Sequence, residues 1–261
     1  MNRPFVRGRR GAYGPAPKGE RRTQKTGWDE LSPWYAGWAG GGSNFHREYA
    51  IPEIQKVWNL KRGMRVVELG CGLGALRDSV EKEGALYVGV DKSPNMIREA
   101  KQRGGRARFY VSDVAKSGGI AIPEKEKFDR AVYMFSIQDI DNHAEAILNA
   151  AKLLKPEGEL IIFMLHPAFR IPRQSGWGKD EGRKLTFRRV DRYKTEVTIP
   201  LPQRTARSEV TSFFYHRPLG SYTRALKDAG LYIKDLKEIY SSTKEPESEF
   251  PHFLLIHAVA K

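Results

Sequence analysis

Cysteine is almost missing from this chain of 261 residues: Cys71 is the only one. A disulfide within the chain is therefore excluded, and a thiolate metal cluster lacks ligands, so no metal is expected. No apolar run approaches the ~18 residues of a membrane span, which removes a bilayer from the expected partners. The basic start, Met1-Asn-Arg-Pro-Phe-Val-Arg-Gly-Arg-Arg10, is not followed by the apolar core of a secretory leader. A cytoplasmic location is the expectation. No internal repeat is present. Acidic residues are scarce too, with 31 Asp and Glu against 45 Lys and Arg, giving a net charge of +14.

What is present is unevenly placed. Residues 1–26 hold eight Lys and Arg against Glu20, and residues 169–207 hold eleven against four acids, so each stretch carries +7 and the rest is neutral. A neutral body with two basic additions points to a polyanionic partner such as RNA or a ribosomal particle. The other reading of the first stretch is a solvated basic tail, since residues 1–26 are rich in Gly, Pro and Arg and have little to bury. Hydrophobic residues make up 40% of the chain, enough for a core of one elaborated domain.

From Arg65 onward the pattern alternates between strand and helix. Strands are expected at 65–70, 86–91, 107–113, 128–135 and 159–166, with helices at 75–82, 94–102 and 142–154 between them. A helix at 219–229 and strands at 231–238 and 253–259 close the chain. This rhythm predicts an α/β fold with a parallel sheet covered on both faces.

The most informative stretch is Val66-Val-Glu-Leu-Gly-Cys-Gly-Leu-Gly74, a strand running into a turn with glycine at 70, 72 and 74. Glycine lets the turn curve tightly and lets a ligand approach the backbone. An acid, Asp91, ends the next strand. Two cofactor classes use such a turn. Gly70, Gly72 and Ala75 meet the dinucleotide fingerprint literally, with an acid about twenty residues on. A pyrophosphate, however, would be repelled by Glu68 beside the loop, whereas the cationic α-amino group of S-adenosylmethionine would be attracted. Glu68 thus favours adenosylmethionine over NAD.

Glu68-Leu-Gly-Cys-Gly-Leu-Gly74 resembles motif I of the class I S-adenosylmethionine-dependent methyltransferases. Asp91 with Lys92-Ser-Pro-Asn-Met96 resembles that family's ribose-binding acid and the helix after it, and Asp113 sits where the family meets the adenine amino group. The resemblance implies a Rossmann-like doubly wound seven-stranded sheet of order 3-2-1-4-5-7-6 with its last strand antiparallel. It also implies S-adenosyl-L-methionine held around Glu68, Gly70, Cys71, Gly72, Asp91, Lys92, Met96, Asp113, Val114, Phe135 and Ser136. Residues 61–261 form the methyltransferase domain in this reading, with residues 27–60 as an aromatic and helical cap and residues 167–214 as an inserted lid over the substrate pocket.

The cap offers Tyr35 as a contact near the methionine end, with His46 and Tyr49 behind it; Trp34 and Trp38 are expected to pack the cap onto the core. In the insertion, 184–193 and 195–199 are expected to pair as a hairpin. Methyl transfer needs near-attack geometry and, for some acceptors, a base. His166, at the end of the fifth strand, is the leading candidate base, with His216, Tyr215 and His143 as rivals. A loop anchor is the alternative role for a histidine there. Arg170, Arg173 and Arg217, with His216, are candidates for holding an acidic acceptor, unless the arginines pair with Asp180, Glu181 and Asp191. After the fourth strand the chain reads Ser136-Ile-Gln-Asp139, unlike the Asn/Asp-Pro-Pro-aromatic box that grips exocyclic base amines, and one cysteine cannot run cytosine C5 methylation. The expected activity is methyl transfer to a small molecule or RNA. A different class, an RNA- or ribosome-associated assembly factor that keeps the fold, stays open.

Overall fold

The computed structural model describes residues 27–40, 44–204, 209–241 and 247–261; the basic tail 1–26 lies outside them. Helix α1 (Trp28–Gly40) is followed by one π-turn, His46–Ala50, that runs into α2 (Ile51–Trp58). Then come β1 (Arg65–Leu69), α3 (Arg77–Lys82), β2 (Leu86–Asp91), α4 (Pro94–Gln102), β3 (Arg108–Val111), β4 (Phe128–Met134), α5 (His143–Leu153) and β5 (Leu154–Leu165). After four inserted strands, α6 (Leu219–Asp228), β10 (Leu231–Ile239) and β11 (Phe253–Ala260) complete the chain.

Seven strands form one sheet in the order β3-β2-β1-β4-β5-β11-β10, with β1 to β5 parallel and β11 antiparallel to both neighbours. This is the doubly wound order that the resemblance implies. Strands buried on both faces read as continuous apolar runs, and β1, Arg-Val-Val-Glu-Leu, is buried throughout. Val67 and Leu69 pack with Tyr133, Ile147 and Leu226 on the face covered by α5 and α6. Val66 packs with Ile54, Trp58, Val80 and Phe163 on the other. Helix starts follow local chemistry. Pro94 occupies the first turn of α4, and Ser93 caps it by accepting from the Met96 N–H at 3.1 Å.

Two expectations need correction. The fifth strand does not begin at 159: β5 already starts at Leu154, with Glu157 at φ +59°. The β4–β5 register jumps there, from Phe128↔Leu154 to Arg130↔Glu159, because the left-handed residue bulges the strand. In the insertion, 184–193 does not pair with 195–199. Instead β6 (Ser175–Asp180) pairs with β7 (Leu185–Val190), and β8 (Val197–Arg204) pairs with β9 (Glu209–His216), making two separate antiparallel hairpins.

Candidate active site

The carboxyl ends of β1, β2 and β4 meet at one edge of the sheet, where open α/β sheets bind ligands. Gly70, Gly72 and Gly74 all have left-handed φ, +70°, +52° and +73°. Two of the loop's N–H groups, from Gly70 and Cys71, donate to the Val90 carbonyl at 2.8 and 3.0 Å. Space as well as conformation demands glycine at 70, since a Cβ there would lie 2.5 Å from Ser136 Cβ. Ser136 itself donates to the Leu69 carbonyl at 2.6 Å, tying the end of β4 to that of β1. Cys71 is buried, and burial raises its thiol well above the ordinary range, so it stays a neutral lining group.

Asp91 closes the loop from the second strand. One carboxylate oxygen accepts from the Gly72 N–H and the other from the Ser93 N–H, each at 2.8 Å. Burial raises its pKa, opposed by those same N–H groups. Asp113 sits at the open side, where it accepts from the Ala115 N–H at 3.0 Å and pairs with Lys92 at 2.7 Å. Val114 and Met96 are buried nearby in sequence.

Residues 67–162 match the family model described as a methyltransferase domain. The chain carries a class I S-adenosylmethionine-dependent methyltransferase domain. An S-adenosylmethionine-dependent methyltransferase from Mesorhizobium loti superposes with a TM-score of 0.64 at 25% identity, covering 80% of this chain and 96% of that one. A ubiquinone biosynthesis O-methyltransferase of Coxiella burnetii is 28% identical over 109 residues, 42% of this chain and 47% of that protein. A demethylmenaquinone methyltransferase of Tropheryma whipplei is 30% identical over 107 residues, 41% and 44% respectively. The chain thus spans about half the length of the curated relatives it matches.

The residues of the methyltransferase domain fit its cofactor, S-adenosylmethionine: left-handed glycines line the loop, and the Asp91 carboxylate is fixed by backbone donors at its mouth. Glu68 lies at the end of β1, beneath the loop. It is 1% exposed and accepts a short hydrogen bond from the Tyr87 hydroxyl, with the Leu76 N–H also on it. Burial pushes its pKa up to about 8, opposed by the hydrogen bonds from the Tyr87 hydroxyl and the Leu76 N–H.

Tyr35 reaches the loop from α1, its ring 3.4 Å from where a Cβ on Gly72 would stand. Burial, then Glu68, Asp91 and Asp139, raise its phenol far above the usual range. Its ring meets that of His46 at 6.2 Å, and His46 meets Phe135 at 5.2 Å. Phe135 is left-handed, at φ +57°, a costly conformation for an aromatic residue, and its ring meets Phe163 at 5.1 Å and Phe253 at 5.6 Å. The side chains of Trp34 and Trp38 lie outside the described ones.

Sequence reasoning missed two acids. Asp29, in the first turn of α1, accepts from Ser93 Oγ at 2.7 Å and from the Asn95 N–H at 3.0 Å, while Asn95 Nδ2 donates back to the Asp29 carbonyl at 3.0 Å. A carboxylate at the start of α4 suits that helix's positive end. Its partners lie 64 and 66 residues away, beyond any local pattern. Asp139 follows β4 in the turn Ile137–Asp139, its carboxyl held well above the ordinary range by burial. It lies within electrostatic reach of Tyr35, Tyr215 and Tyr222.

The histidine candidates are engaged elsewhere. His166 Nε2 meets Glu238 of β10 at 3.0 Å, and its Nδ1 accepts from the Ala168 N–H at 3.2 Å, so both ring nitrogens anchor the chain as it leaves β5. His216 Nε2 meets the Tyr193 carbonyl at 2.8 Å, and burial pushes His143 down to about 4. Arg217 is 4% exposed and donates to the Ile140 and Asp141 carbonyls at 2.7 and 2.5 Å, pinning the loop after Asp139. It does not pair with Asp180, Glu181 or Asp191, as the alternative had it. Arg173 is exposed at φ +59°, and the Arg170 N–H donates to the His166 carbonyl at 2.9 Å.

Proposed function

We propose that the protein transfers the methyl group of S-adenosylmethionine to a hydroxyl oxygen or amine nitrogen of an acceptor seated between α1, the turn at 137–139 and β9. The observation that carries this reading is the meeting of Asp91, the glycine loop and Tyr35 at one edge of the sheet, with Asp139 within reach of Tyr35. The sulfonium supplies the activated methyl and its own leaving group. Everything else falls to the chain. Asp91 and the loop would fix the donor, Tyr35 and Phe135 would exclude water from the methyl end, and Asp139 would take a proton from the acceptor. Asp139 replaces His166 as the candidate base, because it stands within electrostatic reach of Tyr35 beside the glycine loop and His166 has no nitrogen to spare.

The named relatives are a ubiquinone biosynthesis O-methyltransferase and a demethylmenaquinone methyltransferase, but the family match covers residues 67–162 and not residues 27–50 or 167–216, which would wall the acceptor. Acceptor class therefore rests on this chain alone: a small molecule, or RNA reached through the basic segments 1–26 and 169–207. Incubation with donor labelled at the methyl, against a small-molecule extract and an RNA extract, tests both. Label is expected in one fraction and to fall by about 100-fold or more with Asp139→Asn, the usual size of an acid–base contribution. Donor binding without label in either fraction would favour the assembly-factor reading.

A further inference from the structure

The hairpin of β6 and β7 spends one face on the protein and leaves the other unused. On its inner face Trp177 meets Phe250 edge-on at 5.5 Å, and Arg188 lies 5.2 Å over the Trp177 ring while its Nε donates to the Phe169 carbonyl at 3.0 Å. Ser175 Oγ accepts from the Ile171 N–H at 2.9 Å, fixing the hairpin's base. Alternation puts Leu185, Phe187 and Arg189 on the opposite face, across from Asp180, Gly178 and Gly176. Leu185 is 54% exposed and Phe187 45%. The Phe187 ring covers Gly178 so closely that a Cβ there would come within 2.5 Å of it. The tip of the ring thus rests against Gly178 while nearly half of the residue stays exposed.

An anchored ribbon that holds a half-exposed aromatic ring against its own backbone offers a stacking platform. Its surroundings choose the partner. Residues 175–194 carry seven Lys and Arg against three acids. Arg189 stands two residues from Phe187, paired at its edge with Asp191 at 3.0 Å, and Asp180 accepts from the Arg183 N–H at 3.1 Å with the guanidinium at 3.9 Å. A flat apolar ring flanked by excess positive charge matches a base and its phosphates. We propose that the outer face of this hairpin binds single-stranded nucleic acid, with a base stacked on Phe187 and the backbone drawn by Arg189 and the basic turn at 183–184. The hairpin rises from the chain after β5, whose carboxyl end lies beside that of β4, so a bound strand runs along the rim of the candidate active site. This inference rests on the RNA-contact reading above but places the contact on one face and one ring.

Fluorescence anisotropy of a short labelled oligouridine with the full chain tests it, at about 50 mM and about 200 mM salt. Binding is expected to weaken with salt, and Phe187→Ala to weaken it a further 5- to 150-fold, roughly the worth of one stacked base, with the salt slope unchanged. Phe187→Trp should restore it. Arg189→Ala should flatten the slope by about 0.7, one phosphate contact on a single strand. Tyr232→Ala, at the start of β10 and away from the carboxyl end of β5, should change nothing. Oligothymidine binding as well as oligouridine would mark a platform indifferent to the sugar. Affinity indifferent to Phe187, or full displacement by inorganic polyphosphate at equal charge, would overturn the stacking platform while leaving a basic tail as the RNA contact. No binding of either oligonucleotide would overturn the RNA-contact reading as a whole, and adenosylmethionine titration of the same sample would show whether the methyltransferase reading survives.

Discussion

Glu68 shows how one buried group can set the pH response of the strand end that carries the loop. Its carboxyl sits at about 8 in the folded chain against 4.5 for the ordinary side chain, so the folded state holds a proton that the unfolded chain gives up. Stability from this group is complete below pH 4.5 and falls as the pH rises toward 8. Glu68→Gln keeps a neutral partner for the Tyr87 hydroxyl and removes that fall. Denaturant melts of both proteins across this window should converge at low pH, with the variant the more stable by a few kcal/mol near pH 8. Gly70 is constrained twice, by its φ of +70° and by the 2.5 Å approach to Ser136 Cβ. Gly70→Ala should cost more than about 1 kcal/mol and weaken donor binding at least tenfold, because Ser136 must move off the Leu69 carbonyl.

At the scale of elements, α1 is held over the site by the Asp29 clamp on α4. Losing hydrogen bonds to a charged carboxylate costs about 1.5–3 kcal/mol, and here that loss falls on one helix and not on the sheet. Asp29→Ala should therefore speed hydrogen exchange in residues 28–40 and leave β1 and β4 unchanged; equal protection throughout would mean that the clamp does not hold α1. Elements with strong periodicity were legible in the sequence: β2 and α4 fall at 86–91 and 94–102 as expected. The insertion was not. Gly176 and Gly178 in β6, and Pro200 and Pro202 in β8, are residues that normally break strands, yet two-stranded ribbons tolerate them because each strand leaves one edge free. Gly178 in particular is chosen by a ring from the partner strand, a fact no local pattern carries.

Across the whole molecule, the sheet order was readable because the alternation of strand and helix fixes the place of each strand and of the acids at their ends. Roles were less readable, because Glu68, His166 and Arg217 have the right residue types in the right order but are committed to Tyr87, Glu238 and backbone carbonyls. The fold also sets an acid limit. Burial holds His46 at about 4 against 6.5, so the unfolded chain takes up a proton first and stability drains as the pH falls from 6.5 to 4. That one group accounts for roughly 3 kcal/mol at most, and His46→Asn should flatten the melting temperature over this range. The central claim, that this chain holds S-adenosylmethionine at the glycine loop and Asp91, is tested most directly by calorimetric titration. Adenosylmethionine and adenosylhomocysteine should both bind, NAD should not, and Asp91→Ala should weaken both adenosyl ligands at least tenfold, the loss of about 1.4 kcal/mol or more. Heat from neither adenosyl ligand, or affinity untouched by Asp91→Ala, would contradict the account.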